Sequence, residues 1–185
     1  MDPGDRARNR LLVSVPATGD TNFEQSVVYV IDHDDAGAIG VVLNRPSGTD
    51  VPDMLDLGVP WATPSEVFEG GPVSPEAMIV LGRRQLGAEP RGVAPVGGAV
   101  AVLSADAVQD RDVAGVDLLR AYSGYAGWAP RQLDAELDAG VWVLVDALPD
   151  DVFSATPDRL WRSVLARRGG RYASMARYPA DPAAN

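Results

Sequence analysis

His33 sits between Asp32 and the pair Asp34 and Asp35, and it is the single histidine in a chain of 185 residues. An imidazole among carboxylates has the ligand types for a metal ion and the groups for general acid–base chemistry. The spacing argues against both. Consecutive residues on a tight turn point in different directions, and no second histidine exists to complete a His–His zinc pair. A hairpin turn whose Asp side chains bond nearby backbone accounts for the same letters. A Ser-His-Asp triad would also have to use His33, and no Gly-x-Ser-x-Gly elbow is present; Ser123 lacks the first glycine.

Composition removes more chemistry. All 16 basic residues are arginine, so there is no lysine for a phosphate-binding P-loop or a Schiff base. With no cysteine, disulfides, thiolate zinc sites and thiol nucleophiles are excluded, and a reducing compartment is the natural one. The glycine pairs Gly70–Gly71 and Gly97–Gly98 could cradle an anion, but no phosphate-loop pattern surrounds them, and turn formation is the favoured reading. Tyr122, Tyr125 and Trp128, beside Gly124 and Gly127, could line a cleft for a flat ligand or an inserted side chain. Core packing at a strand–helix junction is the plainer reading of the same aromatics.

The net charge is −10, yet residues 159–177 carry six arginines and no acid, which leaves −16 on the rest. A cationic end on an acidic protein suits an acidic partner, or the acidic face of a second copy of the chain. Helix-end arginines that pair with the acidic body explain the asymmetry equally well. A long polyanion would be repelled overall, so direct nucleic-acid binding is not expected.

The elements that must position these residues follow from hydropathy pattern. The runs 27–31 and 38–43 are almost wholly apolar and β-branched, the pattern of strands covered on both faces. Gly40 inside the second run weakens it unless another backbone comes close. Pro46 should end the pairing after Asn44 and Arg45, having no N–H for the ladder. Further strands are expected at 11–15, 67–69, 77–83, 93–96, 99–103, 116–122 (near an edge, from its partial alternation) and 141–145. Pro16 should stop the first strand, and a loop should follow at 17–22. Helices are expected at 51–57 with Asp50 as cap, as a short turn opened by Ser104, at 130–139, and at 157–168 with Thr156 as cap and Pro157 at the first position. In the helix at 130–139, Leu133 and Leu137 share the buried face, with Asp134, Glu136 and Asp138 toward water.

Strands early, helices late and no regular strand–helix alternation give a single α+β domain with a mixed sheet. It should span residues 11–170, with a disordered lead-in at 1–10 and an extended or mobile tail at 171–185. No apolar run approaches the roughly 20 residues needed to cross a bilayer, and the N-terminus lacks the apolar segment of a signal peptide.

Phe23, Ser26, Tyr29, His33, Gly37, Ala38 and Gly40, running on to Asn44, Arg45 and Pro46, resemble the signature of the AlgH/YqgE family. Gly70, Gly71, Pro72 and Val73 follow in that family's order, as do 124–128, Gln132, Leu133, Trp142 and the closing Asp181, Pro182 and Asn185. The resemblance covers nearly the whole chain. It implies one α+β domain with a folded-over mixed sheet, in bacterial cytosolic proteins of no established activity that often carry the label of transcriptional regulator. One departure stands out: Ala129, Pro130 and Arg131 occupy the place where the family has Gly-Pro-Gly.

The expected function is a non-catalytic cytoplasmic binding or regulatory protein, acting through a protein partner or small ligand, without cofactor, metal or membrane. The candidate binding residues are Asn44, Arg45, Gly70, Gly71, Tyr125 and Trp128. The loops carrying Arg45 and Gly70 should share one rim of the sheet, where Arg45 could bind a carboxylate. The alternatives are an enzyme built on His33 with its neighbouring carboxylates, and a transcriptional regulator that contacts DNA.

Overall fold

The two apolar runs form the expected hairpin, β2 (Val27–Asp34) and β3 (Gly37–Val42), paired antiparallel with a bulge between Val30 and Asp32. The computed structural model describes residues 6–15, 23–89 and 91–177. The Pro16 stop, the loop at 17–22 and the closing Asp181, Pro182 and Asn185 lie outside the described residues.

On one side of the hairpin, β1 (Arg10–Ser14) pairs β2 and also β10 (Trp142–Asp146). On the other side, β3 pairs the long β9 (Val116–Trp128), which pairs β6 (Val73–Arg84) along its opposite edge. Then come β8 (Val100–Leu103) and β7 (Val93–Gly97). A short branch, β4 (Pro46–Asp50) with β5 (Glu66–Glu69), joins β9 through a parallel pairing of Phe68 with Tyr122. That parallel step makes the ten-stranded sheet mixed. The main path runs β10-β1-β2-β3-β9-β6-β8-β7, and the sheet is strongly curled. With a few short helices this is one α+β domain, as the order of elements implied.

The continuous apolar runs have the cause inferred for them. Leu11, Val13, Val27, Tyr29 and Val41 face a core closed by α4 (Pro157–Arg168) through Leu160, Trp161, Val164 and Leu165. Leu12, Val28, Val30 and Val42 face the other way, under Leu133 of α2 (Gln132–Asp138) and beside Trp128 and Trp142. Alternate residues of one strand therefore enter two different cores. Gly40 is required by close approach: a Cβ there would lie 2.6 Å from the Tyr29 carbonyl oxygen.

Several expectations change. The strand expected at 116–122 near an edge runs to Trp128 and lies at the centre of the sheet. Arg120 of this strand is 1% exposed, its guanidinium 4.3 Å from the centre of the Phe68 ring, with Nη2 donating to the Thr63 carbonyl. Burial there lowers its pKa, because the cation is taken out of water. The helix expected at 51–57 is a single 3-10 turn at Asp53–Leu55, since Asp50 ends β4 and is not a cap. Pro46 does interrupt the β3 pairing, but it also opens β4, a place in a strand where a missing N–H is tolerated.

At the ends, the chain enters the fold before residue 11: Ala7 is fully buried, and the Asn9 N–H bonds the Val30 carbonyl. After Gly169 ends α4, α5 (Arg171–Met175) follows, so part of the stretch read as a tail is helical. Ser104 caps α1 (Ala105–Asp110) as expected, its Oγ accepting from the Ala107 N–H. A further short helix, α3 (Pro149–Val152), had no signal that was read. No helix among the described residues is long and apolar enough to cross a membrane.

Candidate functional site

The last residues of β9, the exposed face of α2 and the start of β10 meet around a cavity of about 250 Å³. Phe23, Trp128 and Trp142 supply its rings, and Glu136 its charge. The rings stand nearly perpendicular to one another. Phe23 and Trp142 have centroids 5.5 Å apart at 73°, and Trp128 and Trp142 are 6.1 Å apart at 76°. This edge-to-face arrangement is the favoured aromatic geometry.

Glu136 ties the walls together. Its Oε2 accepts from the indole Nε1–H of Trp128 at 2.9 Å and from that of Trp142 at 2.8 Å. Its Oε1 accepts from the Gln132 amide at 2.8 Å, and the Gln132 carbonyl oxygen in turn accepts from the Ala129 N–H. Three donors therefore converge on one carboxylate. Glu136 was expected to face water, and this is the residue that the sequence reading missed. The available signal was spacing: Gln132 and Glu136 lie one helical turn apart, directly after Trp128.

The backbone entering α2 is strained. Arg131, its cap residue, has φ +63°, the left-handed region that glycine adopts freely. The departure from Gly-Pro-Gly thus falls where bare backbone would be most comfortable.

Of the remaining candidates, Tyr125 and Trp128 do not share a cleft. Tyr125 packs against the core under α4, while Trp128 belongs to the core under α2. Tyr122 is fully buried, and burial raises its phenol pKa. The rim residues do meet: the Glu69 N–H bonds the Arg45 carbonyl, and the Val42 N–H bonds that of Gly70. Asn44 continues the ladder with its side chain, accepting from the Val27 N–H and donating to the Gln25 carbonyl, each at 2.9 Å. Arg45 donates to the Ser26 hydroxyl at 2.9 Å, in place of the carboxylate envisaged. Ser14 Oγ accepts from the Ser26 N–H, so this bracing reaches a wall of the cavity. Gly70 and Gly71 are required by close approach: a Cβ on either would lie 2.3 Å from backbone atoms of β9.

His33 is 3% exposed, beneath α2. Its Nδ1 accepts from the Ala7 N–H at 3.3 Å, and its Nε2 faces Asp134 Oδ2 at 3.7 Å. Asp32 accepts from the His33 backbone N–H, and Asp34 from that of Ala36; both are turn bonds. Among the described residues no three His, Asp or Glu side chains gather as a metal site would need.

At the arginine-rich end, Arg167 is taken up by Asp151. Arg168 and Arg171 both stand over the Tyr172 ring, 5.7 and 4.9 Å from its centre.

Comparison with known proteins agrees with this architecture. The AlgH-like family model matches residues 11–173. A UPF0301 protein of Streptomyces coelicolor is 44% identical over 184 residues, covering 95% of this chain and 94% of the relative. Its counterpart in Streptomyces avermitilis is 42% identical with the same coverage. Among solved structures, the AlgH protein from Pseudomonas aeruginosa superposes with a TM-score of 0.68 at 26% identity, covering 97% of this chain and 98% of that one. DIP2367 from Corynebacterium diphtheriae shares the fold at a TM-score of 0.84 and 23% identity, covering 96% and 95% of the two chains. With most of its length matched by the family model, this chain belongs to the AlgH-like family.

Proposed function

We propose that this is a non-catalytic, cytoplasmic binding protein with a regulatory role, which takes a small ligand, or a side chain of a protein partner, into the cavity between Trp128 and Trp142. The observation that carries this reading is the Glu136 carboxylate held by both indoles in the lining of an aromatic cavity. Rings and a few fixed polar groups in a concavity are what ligand sites are made of. Among the described lining residues no base is paired with a nucleophile: Ser14 Oγ is bonded to Ser26 backbone, and His33 lies apart on the Asp134 side of α2. The engagement of Arg167 by Asp151 and of Arg168 and Arg171 by Tyr172 supports an acidic partner, or none, at that end over duplex nucleic acid.

The test is a fragment screen of the full chain, read by the indole N–H resonances of Trp128 and Trp142. Ligands should shift both resonances together without being turned over. A library that leaves both unmoved would sink the pocket reading. Turnover that disappears in His33→Gln but survives in Trp142→Phe would establish the enzyme alternative instead.

A further inference from the structure

We propose that the cavity selects a small organic cation without N–H groups, of the quaternary ammonium class; the inference rests on the pocket reading above and names its ligand chemistry. Charge comes first. Among the described lining residues Glu136 carries the only formal charge, so an anion would meet repulsion and a neutral ligand would leave the carboxylate's field unused. The rings add to the same preference. Phe23, Trp128 and Trp142 all line the cavity and pack edge to face, with interplanar angles of 73° and 76°. Ring faces attract cations through their quadrupole, tryptophan most strongly.

Hydrogen bonding narrows the class. Both oxygens of Glu136 are already engaged, by two indoles and one amide, at 2.8 to 2.9 Å. A primary ammonium entering the cavity would surrender its water and find three donors already bonded to Glu136, so each N–H left unpaired would carry a penalty. A quaternary ammonium has no N–H to leave unpaired and takes the charge interaction whole. Size sets the limit: at about 250 Å³ the cavity is smaller than most drug-sized sites and suits a head group of a few carbons.

The experiment titrates the full chain with choline, with tetramethylammonium, and with 3,3-dimethyl-1-butanol, the uncharged isostere of choline. Binding is followed by the two indole N–H resonances and by tryptophan fluorescence. Choline is expected to bind at least roughly tenfold more tightly than the isostere, within the range of a partly desolvated cation–π contact. That preference should vanish in Glu136→Gln. Because Glu136→Gln also disturbs the indole bonds, Phe23→Leu serves as a second variant: it removes a ring and no hydrogen bond, and should weaken choline roughly threefold to tenfold while leaving the isostere nearly unchanged. Equal or tighter binding of the isostere would overturn the cation assignment and leave the pocket reading standing. Failure of all three probes to move either indole, while unrelated fragments move both, would likewise refute the cation and keep the pocket. Silence toward probes and fragments alike would remove both.

Discussion

Arg167 closes on Asp151 with two parallel bonds, Nη1 to Oδ1 at 2.8 Å and Nη2 to Oδ2 at 2.7 Å. Asp151 is nearly buried and also accepts from the Leu148 N–H, so the pair locks α3 to the end of α4. Donating to the Asp151 carboxylate raises the Arg167 pKa, as expected for a guanidinium held by an anion. Arg167→Ala would leave a carboxylate buried without its partner. A loss of about 2 kcal/mol is expected, below the value for a fully buried pair because Arg167 is a third exposed. Arg167→Lys should recover little of it, since an ammonium cannot make the fork. Urea unfolding of the three proteins measures this, and an unchanged midpoint for the alanine variant would contradict it.

The glycines of the rim provide a sharper contrast. A Cβ at Gly71, where φ is +153°, would fall 2.3 Å from the Tyr125 carbonyl carbon, and one at Gly70 would meet the Gly124 carbonyl oxygen at the same distance. Backbone cannot yield there without breaking the β5–β9 pairing. Gly70→Ala and Gly71→Ala should each cost more than about 3 kcal/mol or abolish soluble expression. Gly140 also has positive φ but nothing within 4 Å of a built Cβ, so Gly140→Ala should cost only about 1 kcal/mol. Equal stability of the Gly71 and Gly140 variants would show that close approach is not the cause.

Arg131 invites the opposite substitution. With φ at +63° its side chain gains no cap hydrogen bond, and it is exposed. Arg131→Gly should stabilise the protein by about 0.5 to 1 kcal/mol, the ordinary relief of a left-handed residue. A thermal midpoint lower than wild type would show that the arginine makes a contact outweighing its strain.

Stability should also fall at alkaline pH. Burial raises the phenol pKa of Tyr29 and Tyr122 above the usual 10.0, because the interior disfavours the phenolate. Above pH 10.0 the unfolded chain releases these protons and the folded chain keeps them. Their stabilising contribution is therefore whole below that pH and is lost as pH rises toward the folded values. Each tyrosine adds at most about 1.4 kcal/mol per pH unit to the decline. Unfolding free energies at pH 9, 10 and 11 (chosen for roughly even spacing about the phenol pKa) should steepen downward, and less so in Tyr122→Phe. A flat profile would rule out the linkage.

Much of this protein was legible in residue types alone. The apolar runs of β2 and β3 announced strands buried on both faces, and the proline and glycine around 157–168 bounded α4, because hydropathy period and backbone restriction act locally. Composition alone removed thiol, lysine and paired-histidine chemistry, since no fold can supply a group the chain does not contain. Tertiary structure decided what depends on partners distant in sequence. The burial of Arg120 depends on Phe68 and Thr63, which the fold brings around it, and β9 passed for an edge until β3 and β6 were seen to flank it. Glu136 read as one more acid on an exposed helix face, because helix periodicity does not show that the chain turns back after α2 and brings Trp142, at the start of β10, to the same carboxylate oxygen as Trp128. A strand is coded by its own side chains; a pocket is coded by the curl of a sheet that brings four separate segments to one place.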